Sequence, residues 1–289
     1  MLGFRRRRPV VWPGLAELIE DSFPGTGTRL AAARRWGVDW DEMATGHVVA
    51  GAGGPLAHAG LIGLPLVIHG ERREVGHVHA VCTRPETRGR GHAREAVASA
   101  ISASAERFET HVLLTTSPGL YEPLGFRTVP EYGARLDLAR PVGGGRRAVL
   151  LEAERFGHVR RLARQLARRV PLSPELGVPA ERSIFTLNEC LSPLWWIRRL
   201  GVVVSWDLVD GALSLYDVAG PRVPRLGDLL AYAPGPVWRV EFHFAPENLM
   251  ENAPEGRFSR WRAPGPEVLM ARGPFVREGA LVMLPRPWR

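Results

Sequence analysis

Residues 75–93 read VGHVHAVCTRPETRGRGHA, and residues 111–126 read HVLLTTSPGLYEPLGF. The first nine alternate and are rich in β-branched side chains, which predicts a strand over 75–83. Alternation puts Val78, Ala80 and Cys82 on one face and His77, His79, Val81 and Thr83 on the other. Arg84-Pro85 ends the strand. Arg88-Gly89-Arg90-Gly91-His92-Ala93 follows as a glycine-spaced loop. From Ala93 onward, Ala96, Val97, Ala100, Ile101 and Phe108 recur at helical spacing, with Ser104 on the same stripe. A second apolar strand covers 111–116. Strand, loop, helix and strand make a parallel crossover, which should be right-handed.

The loop suggests chemistry. The first amides of a helix have no partners within it, and the helix dipole is positive at that end. Glycines let the backbone wrap closely around an anion. A pyrophosphate therefore suits residues 88–93, with Arg88 and Arg90 adding charge. Two other phosphate loops are excluded. A Walker loop requires a lysine, and the chain contains none. A dinucleotide loop requires a third glycine, and Glu95 follows Gly89 and Gly91 instead.

Arg88, Gly91 and Ala93 fill the fixed positions of [QR]-x-x-G-x-[GA], and the stretch resembles the acetyl-CoA loop of the GNAT N-acetyltransferase superfamily. Tyr121-Glu122-Pro123-Leu124-Gly125-Phe126 resembles that family's Y-x-x-x-G-F box, about 30 residues downstream. The resemblance covers residues 46–140. It implies an α/β (α+β) GNAT fold, a mixed central sheet whose parallel strands splay around acetyl-CoA. It also implies a strand-end bulge that frees backbone groups of Val81, Cys82 and Thr83 for pantetheine. Gly89, Gly91, His92 and Ala93 then hold the pyrophosphate, and Ser117 contacts the pantetheine arm or the Tyr121 hydroxyl. Tyr121 is the leaving-group acid by resemblance. His77 and His79 share a spacing with serotonin N-acetyltransferases, where the pair is associated with proton removal from the amine. The competing readings stay open: two ordinary strand histidines, and a packed aromatic beside Gly125.

The 289 residues suggest one large domain or two of ordinary size. The clearest linker is Pro141-Val142-Gly143-Gly144-Gly145, dividing a catalytic domain (1–140) from a C-terminal one (147–289). The first unit opens with helices at 13–23 and 29–36. Residues 36–42 (Trp36, Asp39, Trp40, Asp41, Glu42) form an acidic, aromatic segment suited to a cationic amine. Strands follow at 47–50 and 56–69, and residues 133–140 close the first half. In the second, helices are expected at 152–170 and 182–200, and strands at 202–210, 212–219, 237–244, 268–275 and 280–285. A short helix is expected at 226–233. This order resembles the first half with its phosphate loop replaced by Pro221-Arg222-Val223-Pro224, so a degenerate GNAT-like repeat is expected. A sterol-carrier-like domain is the competitor; its family's C-terminal carboxylate would make Arg289 a site residue.

All 38 basic residues are arginine and the net charge is +8. Total avoidance of lysine reads as the composition of a GC-rich bacterial genome. Basic runs such as Arg5 to Arg8 are scattered, which argues for solvated faces rather than nucleic-acid binding. Two cysteines make neither a disulfide framework nor a metal site, and Cys82 reads as core. No apolar run spans a membrane and no signal peptide is apparent, so a cytoplasmic location is expected. The expected activity is N-acetylation of a small-molecule amine, with a homo-oligomer left open. A non-catalytic acyl-CoA-binding regulator is the alternative.

Overall fold

The computed structural model describes residues 13–262 and 266–277. Arg5 to Arg8, the strand expected at 280–285 and the carboxylate of Arg289 lie outside them. Helices α1 (Leu15–Ser22) and α2 (Thr26–Arg35) lead into a meander of β1 (Thr45–Gly51), β2 (Gly54–Ile68) and β3 (Glu71–Thr83). Helix α3 (His92–Ser104) then crosses to β4 (His111–Thr115), which runs parallel to β3. Its Ala96, Val97, Ala100 and Ile101 pack on Val78, Leu113 and Tyr121, as the helical stripe requires. β5 (Arg127–Val129) follows.

The next strand does not close this sheet. β6 (Tyr132–Val142) pairs instead with two strands of the second half. That half begins with β7 (Val149–Leu150), α4 (Phe156–Ala167), β8 (Leu176–Gly177) and α5 (Ser183–Glu189). It continues with β9 (Leu194–Ile197), β10 (Val202–Val209), β11 (Ala212–Ala219), α6 (Leu226–Leu230) and β12 (Val237–Phe242). α7 (Glu247–Met250), β13 (Gly256–Arg262) and β14 (Val268–Arg272) complete it. The second sheet has the order β13-β6-β12-β11-β10-β9-β7, with β6 between β12 and β13. The first has the order β1-β2-β3-β4-β14-β5, with β8 on the same edge of β2 as β1, paired to Val67 and Ile68 beyond the end of β1. Each half therefore lends the other a strand at the equivalent place. β14 lies antiparallel to both β4 and β5, and β6 to both β12 and β13. Residues 133–140 thus complete the second sheet, not the first. The strand expected at 268–275 completes the first sheet rather than a C-terminal hairpin.

Burial explains why these strands are taken up. Leu269 and Ala271 point into one core and Met270 into another, on the opposite sheet face, all three fully buried. Ala134, Leu136 and Leu138 of β6 enter the second half's core with Phe242 and Leu215. A further cluster joins the halves: Ala33 and Trp36 from α2 region pack on Leu162, Leu166, Phe185 and Trp196. The helix expected over 182–200 ends at Glu189. Ser192-Pro193 interrupts it, and the aromatic, β-branched Leu194–Ile197 pairs with β10 as a strand.

The second half repeats the parallel crossover, β11-α6-β12. Its strand ends are filled by its own chain. The Val170 amide donates to Gly220 O at 3.0 Å, and the Asn248 amide donates to Leu172 O at 3.0 Å. Buried Arg169 pairs with Asp217 at 2.6 Å alongside. Residues 169–172 therefore bridge the end of β11 and the helix after β12, where a cofactor arm would need open space. Among the described residues, no helix is long and apolar enough to cross a membrane.

Candidate active site

The first half keeps the equivalent space open. β3 and β4 pair only through Gly76 with His111 and His77 with Val112, then diverge. A cleft of about 640 Å³ fills the gap, lined by residues 77–83 of β3, Leu113 to Ser117, and Tyr121. A bulge turns β3 outward. His58 faces Cys82 and Gly60 faces His79, so β3 carries one residue more than β2 there, and Ala80 takes φ 48°. The extra residue reverses the faces beyond it. Val81 joins Val78 against the α3 core, while Cys82 turns toward Ser22 of α1. The expectation that Cys82 shares the face of Val78 is therefore corrected. Burial pushes the Cys82 thiol up to about 11, which suits a packing residue rather than a nucleophile.

At the end of β3 the loop forms an open cradle. Gly89 and Gly91 have φ 76° and 87°, and a Cβ on either would meet nothing within 4 Å. Their need for glycine is thus conformational, not steric. The Glu95 amide donates to Gly91 O at 3.0 Å, starting the α3 ladder. Among the described residues, no protein acceptor takes up the amides of Gly89 to Arg94 outside that helix. These are the groups an anion needs. Arg88 Nε donates to Thr83 O at 3.3 Å, tying the loop back to the strand. Arg88, Gly89, Gly91, His92 and Ala93 line the cleft together with Arg94, whereas Arg90 is exposed and lies outside the lining. Arg94 was missed because it falls one residue past the motif, although it lies within the first helical turn.

Tyr121 lies between two short 3₁₀ turns, Pro118–Leu120 and Glu122–Leu124, and is buried. Pro123 is accommodated because it stands in the first turn of so short an element. Gly125 closes that turn at φ 83°, its amide donating to Glu122 O at 2.9 Å. Burial pushes the Tyr121 phenol up to about 12, opposed by a side-chain hydrogen bond with Thr115. Thr83 and Ser117 both line the cleft.

His77 and His79 sit before the bulge and stay on one face, ring centroids 6.1 Å apart. Both line the cleft. His77 Nδ1 and His79 Nε2 are buried without a protein partner among the described residues. His79 meets the Trp40 ring edge-on at 4.7 Å. Gly60 is obligatory beneath it, since a Cβ there would lie 2.3 Å from the imidazole. Burial holds His77 down at about 4 and His79 well below its ordinary range, with the charges of His77 and His58 adding to the effect on His79. Both are therefore neutral at pH 7. In the rest of the acidic segment, Glu42 is exposed and the two aspartates are paired. Trp36 is buried between the halves, and Arg34 reaches Asp39 at 3.4 Å and Asp41 at 2.5 Å. Asp39 also caps the Asp41 amide at 3.1 Å. Asp39 and Asp41 are accordingly already engaged by a cation of the chain itself.

The neutral histidines set a pH dependence. Their folded-state values lie below the unfolded value near 6.5, so the unfolded chain binds protons the folded chain refuses. Stability is complete above pH 6.5 and is lost as pH falls toward 4. His77 alone accounts for a loss of about 3 kcal/mol over that window. Denaturant midpoints measured from pH 8 to 4.5 should fall below 6.5, and His77→Gln should flatten the slope. A midpoint unchanged down to pH 5 would contradict the burial.

The family model described as an acetyltransferase (GNAT) domain matches residues 4–129. No curated protein sequence matches the chain. Among solved structures, a conserved protein from Enterococcus faecalis V583, described as a probable N-acyltransferase, aligns with TM-score 0.58 at 12% identity, over 89% of this chain and 68% of that one. A GCN5-related N-acetyltransferase from Kribbella flavida aligns with TM-score 0.53 at 16% identity, over 89% of this chain and 67% of that one. Eis1 from Mycobacterium abscessus aligns with TM-score 0.52 at 16% identity, over 78% of this chain and 63% of that one. At these identities the likeness is one of fold, and its coverage extends across both halves. The match at residues 4–129 takes in just under half of the chain, and likens this part of it to an acetyltransferase (GNAT) domain.

Proposed function

We propose that this chain transfers an acetyl group from acetyl-CoA to a primary amine of a small molecule. The observation that carries this reading is the open amide cradle at Gly89 to Ala93, continuous with a cleft that reaches Tyr121. The residues present fit the donor. Unpartnered amides and the Arg88 and Arg94 guanidiniums suit a pyrophosphate. The bulge at Ala80 gives an arm of pantetheine kind access to the backbone of Val81, Cys82 and Thr83. When bound, acetyl-CoA supplies the activated acetyl group.

The chain's residues then have three tasks. Backbone amides near Val81 and Cys82 stabilise negative charge at the reacting carbonyl oxygen. Tyr121 donates its proton as the thiolate leaves. A phenol near 12 facing a thiol near 8.5 is uphill by about 5 kcal/mol as a separate step. Tyr121 therefore works by hydrogen bonding and concerted transfer rather than as a free acid. His77 and His79 take up the amine proton. Direct capture from an ammonium of pKa about 10.4 by a base near 4 costs roughly 9 kcal/mol, so the pair passes the proton on to solvent water rather than keeping it.

Free-thiol release from acetyl-CoA, measured across amines, aminoglycosides, amino acids and peptides, tests the reading. At least one acceptor should give turnover, and Tyr121→Phe should lower kcat on the order of 100-fold with little change in CoA affinity. Unchanged turnover in that variant removes Tyr121 from the chemistry. A melting rise with acetyl-CoA but no thiol release with any acceptor would replace the enzyme with a non-catalytic acyl-CoA-binding protein.

A further inference from the structure

Glu267 stands immediately before the borrowed strand β14 and lines the cleft. Alternation gives its side of the sheet. Leu269 and Ala271 pack with Val75 and Val112 on one face, while Val268 and Met270 pack with Val78, Ala96 and Tyr121 on the other. Glu267 comes two residues before Leu269, and His77 and His79 come two and four after Val75, so all three belong to the face away from α3. Their depths differ. His77 is buried and pairs with Val112, where β3 and β4 part. Glu267 is exposed and lies one residue beyond the pair Val268 with Thr115, at the open end of β4. From Val112 to Thr115 the strand advances about 10 Å. Among the described residues that line the cleft, Glu267 is the one acid. Arg88 and Arg94 belong to the phosphate loop, and the acids of the 36–42 segment lie outside the lining.

We propose that Glu267 selects the acceptor by pairing with a cationic group other than the reacting amine, so that the preferred acceptor is a di- or polycation reaching from the mouth of the cleft to the histidine pair. The division of charge follows from the chemistry. A carboxylate beside the reacting nitrogen would hold it as an ammonium and prevent attack. Neutral His77 and His79 surround that nitrogen without fixing its charge. A carboxylate kept apart from them binds a second cation and leaves the first free to lose its proton. Because Glu267 leads into β14, acceptor choice is supplied by the second half, whose own strand ends are filled.

The inference rests on the transferase reading, and the test separates the two. Straight-chain diamines are compared with monoamines of the same length in thiol release. kcat/KM should favour the diamines by about fivefold, through KM, which is the upper range for an exposed ion pair, and the preference should shrink as salt is raised. Glu267→Gln should abolish the preference, and Glu267→Arg should turn it toward amines that carry a carboxylate. Glu267 is exposed, so both variants should fold, and their CoA affinity by calorimetry should stay within about twofold of wild type. A preference that survives Glu267→Gln overturns the inference. So does a Glu267→Gln protein that binds CoA much more tightly, since the carboxylate would then face the phosphates. Equilibrium dialysis of labelled hexamethylenediamine against the protein with CoA present gives a readout free of turnover. Binding lost in Glu267→Gln, with no thiol release from any amine, keeps the polycation site and removes the transferase. Thiol release from diamines and monoamines at equal kcat/KM keeps the transferase and removes the site.

Discussion

A chain ended at Arg262 is expected to lose cooperative melting of its first half, and acyl transfer with it, although every residue of the loop and the Tyr121 box is still present. The missing strand is central. β14 contributes five register pairs to β4 and three to β5, and without it these two strands have no common partner. Leu269, Met270 and Ala271 are fully buried on two faces. Deleting one buried Leu or Met side chain costs about 2–5 kcal/mol, so losing both side chains and the ladder approaches the ~5–15 kcal/mol that holds a typical domain. Met270 packs in the cluster that contains Tyr121, Phe126 and Leu113, so the damage falls on the site itself. The single substitution Met270→Asp should do much the same by burying an unpaired carboxylate. Circular-dichroism melting and thiol release on the shortened chain and on Met270→Asp provide the check. A shortened chain that melts cooperatively and still gains stability from acetyl-CoA would show that β14 is dispensable. By the same logic a fragment covering only 1–140 carries β6 without the strands it pairs with, and should not fold alone.

That dependence was hidden from the sequence for a specific reason. Alternation marks residues 133–140 and 268–275 as strands, and both are strands. Period-two patterning says which face is buried but not which neighbour is paired, and the default that consecutive elements lie side by side fails here twice. The crossover was legible because its signals are local: β-branched alternation, two glycines at a helix start, and a stripe at helical spacing. The histidine pair was placed on one face correctly because both precede the bulge. Cys82 was not, because Ala80, a residue with no obvious turn chemistry, takes the positive φ that shifts the register. The acidic segment misled through composition: Asp39 and Asp41 look free in a string of letters, and Arg34, five and seven residues earlier, holds both. The filled cleft of the second half was foreshadowed by prolines at 221 and 224, but the plug itself comes from Val170-Pro171-Leu172, about 50 residues upstream. A long-range contact of that kind leaves no periodic trace.

The loop should be the most sensitive part of the molecule to a change of one backbone angle. At Gly91, φ is 87° and the space around a new Cβ is open. A substitution there is therefore punished only for its backbone preference, which makes the outcome an ordering rather than a single loss. Asn tolerates the left-handed region best after Gly, Ala less, and Val least, with strain of about 1–2 kcal/mol or more for the β-branched residue. Relieving that strain means rotating the peptide planes at the start of α3, which turns the amides of Gly91 to Ala93 away from a common focus. Each charge-assisted hydrogen bond to a phosphate oxygen is worth about 1.5–3 kcal/mol, so losing two weakens binding by at least roughly 100-fold. CoA affinity should fall in the order Gly91, Gly91→Asn, Gly91→Ala, Gly91→Val. Melting curves give an independent reading. At a ligand concentration about 100 times the wild-type Kd, binding stabilises by about 2.7 kcal/mol, a gain Gly91→Val should lose almost entirely while remaining folded without ligand. Titration calorimetry with CoA on the four proteins decides it. Equal affinities for Gly, Asn and Val would mean that the turn at Gly91 does not hold the phosphates, and the donor site would have to be sought elsewhere in the cleft.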